Sequence, residues 1–476
     1  MPAPLPLLPI PLSGRPSTPV DVETLFLRLF AASPAAFWLD AGPDAVDGWS
    51  ILGDGAVETD ADAVRAVPLH PAAAAERPAV VPADEPGEAE RPPFTGGWVG
   101  WLDYESGAER AGAPVHSPAP ANAANGTGVA DAVESPDRPA WIVVQRAVAV
   151  DHAGGRVFAL APEGAGEHWC REVAAALADG IRPAAPEPLH DPPVSAIARH
   201  RVPDYLELIE RCRAAIARGD AYQLCLTTRF RTARPTRPLD VYRRVRAATP
   251  AHHGGLLRVG ERWLLSASPE QFLSVGEGEV RTSPIKGTRP RSASTAEDAR
   301  LAAELQADVK ERAENVMIVD LMRNDLSRVC RPGSVQVPRL WEVQSYPAVH
   351  QLVSTVSGRL RDGIRFGELC DATFPAGSMT GAPKLSAMTI LHALEGAPRG
   401  VYSGCFGFVG VDGRVDLAMV IRSIVVDAEG AWVGAGGGIT WLSQPHAEAA
   451  EVATKARAPL AALGASLPAA WAALDD

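Results

Sequence analysis

Residues 266–291, SASPEQFLSVGEGEVRTSPIKGTRPR, restrict this chain more tightly than any other stretch. Two runs of strand-forming residues flank Gly-Glu-Gly-Glu, and Gly276 and Gly278 supply the turn between them. The pattern predicts strands over 263–273 and 280–285, and so short a turn can join strands only in antiparallel fashion. Glu270 falls late in the first strand, while Lys286 ends the second and is followed by Gly287. An acid and an amine on neighbouring strands form either an ordinary ion pair across the hairpin or a reacting pair.

The rest of the chain supports the antiparallel reading. A second hairpin is expected from 141–150 and 156–161 across Asp151–Gly155, with further strands over 36–39, 48–52, 96–104 and 222–230. Helices are expected after Thr18–Pro19, with Leu25, Phe26, Leu29 and Phe30 on one face, and over 167–179, closed by Gly180. Another starts at Pro203, carries Tyr205, Ile209, Cys212 and Ile216 as one stripe, and stops at Gly219. Between Ser106 and Arg138 Ala, Pro, Gly, Asn and Ser dominate, which predicts a surface loop. The Pro-rich passage over 181–200 marks a boundary between a region spanning 1–185 and one spanning 195–465. Strands alternating with helices, but joined by hairpin turns, give an α+β class and not a doubly wound parallel sheet.

Composition narrows the partners. A formal net charge of -12 disfavours nucleic acid and anionic membrane, so an anionic substrate would need a local cation or a metal to hold it. The six cysteines are scattered without a CxxC pair and read as buried small residues of a reducing compartment. The opening MPAPLPLLPIPLSG carries five prolines and no basic residue, unlike a signal peptide, and no apolar run is long enough to span a membrane. A cytoplasmic location is the expectation.

Four further clusters could carry chemistry. Glu311 and Glu314 share one face of a helix over 310–326, and Glu448 and Glu451 repeat that spacing on a helix opened by Pro445. Such pairs are either solvated helix faces or a site for a hard divalent cation such as Mg2+. The run GAGGGI over 434–439 is either a tight bend or a nest of amides for a carboxylate. FPAGSMTGAPK over 374–384 lacks the Gly-Lys-Ser/Thr ending of a nucleotide loop, yet Thr380, Gly381 and Lys384 would present donors at a helix start. Arg422, among the aliphatic residues of LAMVIRSIVV, calls for a carboxylate partner.

Taken in order, YQLCL, SASPEQF, SPIKGTRPR, KERAENVMIVDLMRNDL, FPAGSMTGAPK, VYSGCFGF and GAGGGI resemble the chorismate-utilising enzymes. Among these the chain looks most like the synthase component of the aminodeoxychorismate synthases. Its first half resembles the family more loosely, through FWLDAG, GWSILGDG and GGWVGWLDYE. The resemblance implies a sandwich of large antiparallel sheets flanked by helices, with the site between the sheets. Water-using members carry a lysine base where Gln223 stands, and anthranilate synthases carry alanine where Lys286 stands, so amination with the enolpyruvyl group retained is implied.

The resemblance assigns Mg2+ to Glu314 and Glu451, with Glu311 and Glu448 supporting its waters. It assigns substrate binding to Arg422, Gly436, Gly437, Gly438, Thr380 and Tyr402. Lys286 would attack chorismate as a neutral amine with Glu270, held protonated by an apolar setting, as general acid. Ammonia would come from a separate glutamine amidotransferase subunit, since no cysteine sits in a Gly-flanked nucleophile turn. An anthranilate synthase component I-like lyase is the alternative. The chain departs from its relatives at TWLSQPHAE, which replaces an acidic run, at Gln351, which replaces a histidine, and at Ala41, where tryptophan-binding relatives have a serine. The pathway served, folate precursor or specialised metabolite, stays open.

Overall fold

The Gly-Glu-Gly-Glu turn closes as a two-residue hairpin: Gly276 pairs with Glu279, and Glu277 and Gly278 take positive φ of 53° and 74°. The computed structural model describes residues 4–12, 20–69, 91–116, 138–178, 184–189, 192–346 and 349–475. The strand leading into the turn is not continuous. It breaks at Pro269–Glu270 into Arg262–Ser268 and Gln271–Gly276, because Pro269 has no amide hydrogen to give a ladder. Lys286 stands inside the strand Ile285–Pro290 instead of at the end of its predecessor, Glu279–Thr282.

That break carries the chain from one layer of a sandwich to the other. In the first layer Arg262–Ser268 lies between His253–Val259 and Ser423–Val426, and the pairing continues outward to Ala35–Asp40 on one side and Ala431–Ile439 and Gln223–Thr232 on the other. In the second layer Gln271–Gly276 lies between Glu279–Thr282 and Val415–Met419, followed by Cys405–Gly410 and Gly97–Leu102. The neighbouring chain crosses beside it over 420–422, between Val415–Met419 and Ser423–Val426, with Arg422 at a φ of 52°. The long strand Ala140–Asp151 pairs in both layers and joins them. Apart from the short pair Ala465–Ser466 with Val194–Ser195, every described strand pairing is antiparallel.

Strand periodicity sorts the core. Phe37, Leu257, Leu264, Val425 and Trp432 of the first layer meet Val99, Trp101, Phe406 and Phe408 of the second in one buried cluster. Their neighbours Trp38, Leu256, Leu265, Ile424 and Val433 face the opposite way, onto helices that include Val22–Leu29, Val202–Ala217, Lys384–Glu395 and Pro445–Ala462. The outer face of the second layer is covered by Val309–Ser327 and Phe366–Thr373. The α+β sandwich with helices outside is therefore present, and 1–185 and 195–465 contribute strands to the same layers.

Several local expectations change. A helix, Tyr104–Arg110, begins where a loop was expected from Ser106, because the Asp103 carboxylate accepts the Ser106 amide at 2.8 Å and caps it. The strand expected over 48–52 runs through Trp49–Val57. The first helix, Val22–Leu29, is capped by Asp21, while Thr18–Pro19, Gly180, most of the expected loop (117–137) and part of the Pro-rich passage lie outside the described residues. Among the described residues no helix is long and apolar enough to cross a membrane.

Candidate active site

Beside the two crossovers the layers part around a cavity of about 500 Å³. Glu270 and Arg422 reach it from the crossovers themselves, Lys286 from Ile285–Pro290, and Gly434–Gly438 from the strand Ala431–Ile439. Glu311 and Glu314 line it from Val309–Ser327, and Glu448 and Glu451 from Pro445–Ala462, so both carboxylate pairs line one space, although Glu451 is also exposed to solvent. Tyr402 completes the wall.

Glu270 is the most perturbed acid in the cavity. It is 7% exposed, and Ser378 Oγ donates to its Oε1 at 3.0 Å. Burial pushes its carboxyl up to about 7, while the Ser378 hydrogen bond and the charges of Lys286 and Lys455 pull in the other direction. This is the environment a general acid near neutrality needs.

The remaining charges alternate in sign across the cavity. Lys286 Nζ lies 3.7 Å from Glu314 Oε2, and Lys310 Nζ lies 3.8 Å from both Glu314 Oε1 and Glu448 Oε1. Lys455 Nζ sits 2.7 Å from Glu451 Oε1 and donates to the Gly436 carbonyl at 2.9 Å. Burial pushes Glu311 up, with Glu314 adding to the effect. Burial also raises Glu448, which the Ser443 hydrogen bond opposes and Glu451 reinforces. For Glu451 burial works upward, but Lys455, with Lys286 and Lys310 adding to it, holds the carboxyl below its usual range. Burial lowers Arg422, against the pull of Tyr402 and Glu451, and it makes no ion pair with a carboxylate among the described residues.

Among the described residues no three His, Cys, Asp or Glu side chains converge as a metal-ligating group. Ammonium groups bridge the glutamates, Lys310 standing between the two helices. The donor set nevertheless consists of carboxylate oxygens alone, which suits a hard divalent cation and not a softer metal.

Two readings need correction. The glycines of 434–438 form no nest: they are extended strand, with Gly436, Gly437 and Gly438 opposite Thr227, Leu226 and Cys225. A Cβ at Gly434 would run into the Tyr402 ring, one at Gly436 into the Leu226 carbonyl and one at Gly438 into Gln223 Nε2, whereas one at Gly437 would meet only Glu448 Oε2 at 3.5 Å. Thr380 does not line the cavity. Its Oγ1 donates to the Ala376 carbonyl at 3.1 Å, Gly381 pairs with Leu224, and Lys384 Nζ holds Asp325 at 2.6 Å. Ser378, two residues earlier, does line the cavity, and the turn Gly377–Met379 aims its hydroxyl at Glu270.

Sequence reasoning also passed over Lys310, Lys455, Met379 and Arg289, all on the cavity wall. Lys455 had a signal, lying one helical turn after Glu451, whereas the Ser378 turn has no periodicity to read. Gln223 is buried and neither atom of its amide has a partner among the described residues; Gln351, on the cavity wall, likewise has an unpartnered Oε1.

Known proteins resemble the chain in sequence and in fold. The profile for chorismate binding enzyme matches residues 35–461. The chain is 39% identical to an aminodeoxychorismate synthase of Streptomyces pristinaespiralis over 93% of its own length and 64% of that protein's. It is 40% identical to another of Streptomyces griseus over 79% and 51%. Thus it spans about two thirds and half of those two relatives. It is also 39% identical to the anthranilate synthase component 1 of Streptomyces coelicolor, over 78% of this chain and 73% of that one. Among solved structures, anthranilate synthase component I from Streptococcus pneumoniae superposes with a TM-score of 0.66 at 26% identity, covering 93% of this chain and 99% of that one. By its profile match and by these relatives, the chain belongs to the chorismate binding enzymes.

Proposed function

We propose that the protein aminates chorismate to 4-amino-4-deoxychorismate, through a covalent bond between Lys286 and the substrate ring. The observation that carries this reading is that an amine, Lys286, and an acid held up to about 7, Glu270, line one cavity. Names borne by relatives that match 93% and 79% of the chain support it.

Arg422 would bind a substrate carboxylate, while Tyr402 and the side-chain-free strand Gly436–Gly438 would leave room for the ring. Glu314 and Glu451, with Glu311 and Glu448 behind them, would hold Mg2+. When bound, that ion would supply positive charge to complement a substrate carboxylate. The Lys286 amine attacks ring C2, both ring double bonds shift, and the C4 hydroxyl leaves as water with the proton of Glu270. Ammonia then bonds to C4, both double bonds return, and the C2–Nζ bond breaks to free Lys286, with Glu270 recovering a proton from the ammonia nitrogen. The ammonia would come from a glutamine amidotransferase partner.

Incubation with chorismate, Mg2+ and ammonium, followed by product analysis, tests the proposal. Expected is an aminated ring that retains its enolpyruvyl group, and a Lys286→Ala variant whose turnover falls by orders of magnitude. Release of pyruvate with a fluorescent aromatic amine would replace this reading with the anthranilate-forming one. Wild-type turnover by the variant would remove the covalent step. Exposure to chorismate without ammonia should leave a mass increment on Lys286.

A further inference from the structure

Behind the cavity wall lies a charged pair that the proposed chemistry does not use. Arg399 and Glu395 are both buried, with side chains 1% and 4% exposed, and Nη2 meets Glu395 Oε1 at 2.8 Å. A buried ion pair is a weak source of stability, since apolar residues of similar volume often replace one without loss. The partners of this pair are informative. Arg399 Nη1 donates to the Met379 carbonyl at 2.6 Å, and Nη2 donates to the Cys225 carbonyl at 2.8 Å. Met379 and Cys225 both line the cavity. Glu395 Oε1 also accepts from the Thr227 amide and hydroxyl, each at 2.9 Å.

The same guanidinium lies 4.3 Å over the Tyr104 ring, and the Arg399 and Gly400 amides donate to Glu105 at 2.7 and 2.8 Å. One side chain thus ties together the strand Gln223–Thr232, the turn Gly377–Met379, the helix Lys384–Glu395 and the first half of the chain. Ser378, which donates to Glu270, is the residue next to the clamped Met379.

We propose that Arg399, anchored by Glu395, is a positioning residue that fixes the turn Gly377–Met379 so that Ser378 stays bonded to Glu270. The inference rests on the reading of Glu270 as proton donor. Loosening the turn weakens the Ser378 bond, which favours the ionised carboxylate, so the protonated form of Glu270 persists to higher pH. The charged groups that face Glu270, Lys286 and Lys455, stay in place, as does Arg422 on the same cavity.

The test uses the full chain carrying Arg399→Met with Glu395→Gln, which leaves an acceptor for Thr227 and no unpaired buried charge. For ammonium-dependent turnover, kcat should fall by about tenfold or more with a smaller change in KM. The basic limb of the pH–rate profile should move to higher pH, as it should in Ser378→Ala. Wild-type kcat and profile in the folded variant overturn the inference. If the double variant does not fold, Arg399→Lys decides the matter, since it keeps the charge without the fork; an unmoved limb again overturns it. Glu270→Gln separates the two levels: an active Glu270→Gln enzyme removes the proton-donor reading itself, whereas an inactive one with an unmoved Arg399 limb removes only the positioning role.

Discussion

A carboxylic acid that must give up its proton near neutral pH has to be kept from ionising earlier, and the same burial that does so costs stability. Glu270 shows both sides. Its carboxyl is raised from 4.5 to about 7 by burial, so the native state holds a proton that the unfolded chain has already released over that interval. Stability therefore falls as pH rises from 4.5 towards 7, and the whole cost is present above it. Replacing Glu270 by Gln should abolish turnover and yet stabilise the protein at pH ~8 by roughly 1–3 kcal/mol, with little gain at pH ~4. Urea unfolding at the two pH values measures this. Equal shifts at both would mean that the carboxyl is not held protonated. In activity, the basic limb of kcat/KM should fall near pH 7, above which the acid is spent before the substrate arrives.

At the scale of the element, the glycine-rich strand Ala431–Ile439 separates two kinds of constraint. A Cβ at Gly436 would lie 2.6 Å from the Leu226 carbonyl and 3.1 Å from Thr227 Cα, both of them backbone that cannot yield. A Cβ at Gly438 would press on Gln223 Nε2, the mobile end of a side chain, and lie 3.3 Å from Lys286 Nζ. Gly436→Ala should thus lower the melting temperature, whereas Gly438→Ala should melt much as wild type does but lose activity, by roughly tenfold or more through displaced Lys286. Thermal melts beside turnover numbers distinguish them, and a Gly438→Ala enzyme with unchanged kcat would detach that strand from the chemistry.

The same strand shows where the sequence is legible. The hairpin around Gly276 and Gly278 could be read because turn type and strand composition are local properties. The faces of Glu311 with Glu314 and Glu448 with Glu451 could be read because a helix repeats predictably. A run of glycines carries no face or period, so it takes neighbours such as Tyr402, Leu226 and Gln223 to show why side chains are missing there. Ser378 was unreadable for a similar reason, since its aim depends on a short turn held from outside by Arg399. The ammonium groups between the helices follow from packing across the cavity, a relation between residues far apart in the chain.

For the whole molecule, the order of the strands decides how it must unfold. Ala35–Asp40 is inserted between His253–Val259 and Trp49–Val57, and Gly97–Leu102 joins Cys405–Gly410 to Ala140–Asp151. Removing the first half would bare the edge of His253–Val259 in one layer and that of Cys405–Gly410 in the other. It would also take Phe37, Val99, Trp101 and Ile142 out of the cluster between the layers, a loss comparable with the whole marginal stability of a folded protein. Glu105 would no longer accept the Arg399 and Gly400 amides, so the cavity wall would lose a support from the same cut. The change of composition over 181–200 should not divide the molecule's cooperativity. The intact chain should therefore melt in one calorimetric transition, with the calorimetric and van't Hoff enthalpies in agreement. A fragment spanning 195–476 should show neither that transition nor turnover with ammonium until the fragment spanning 1–185 is refolded with it. Two separate transitions, or an active fragment alone, would mean that the layers hold together without the strands they share.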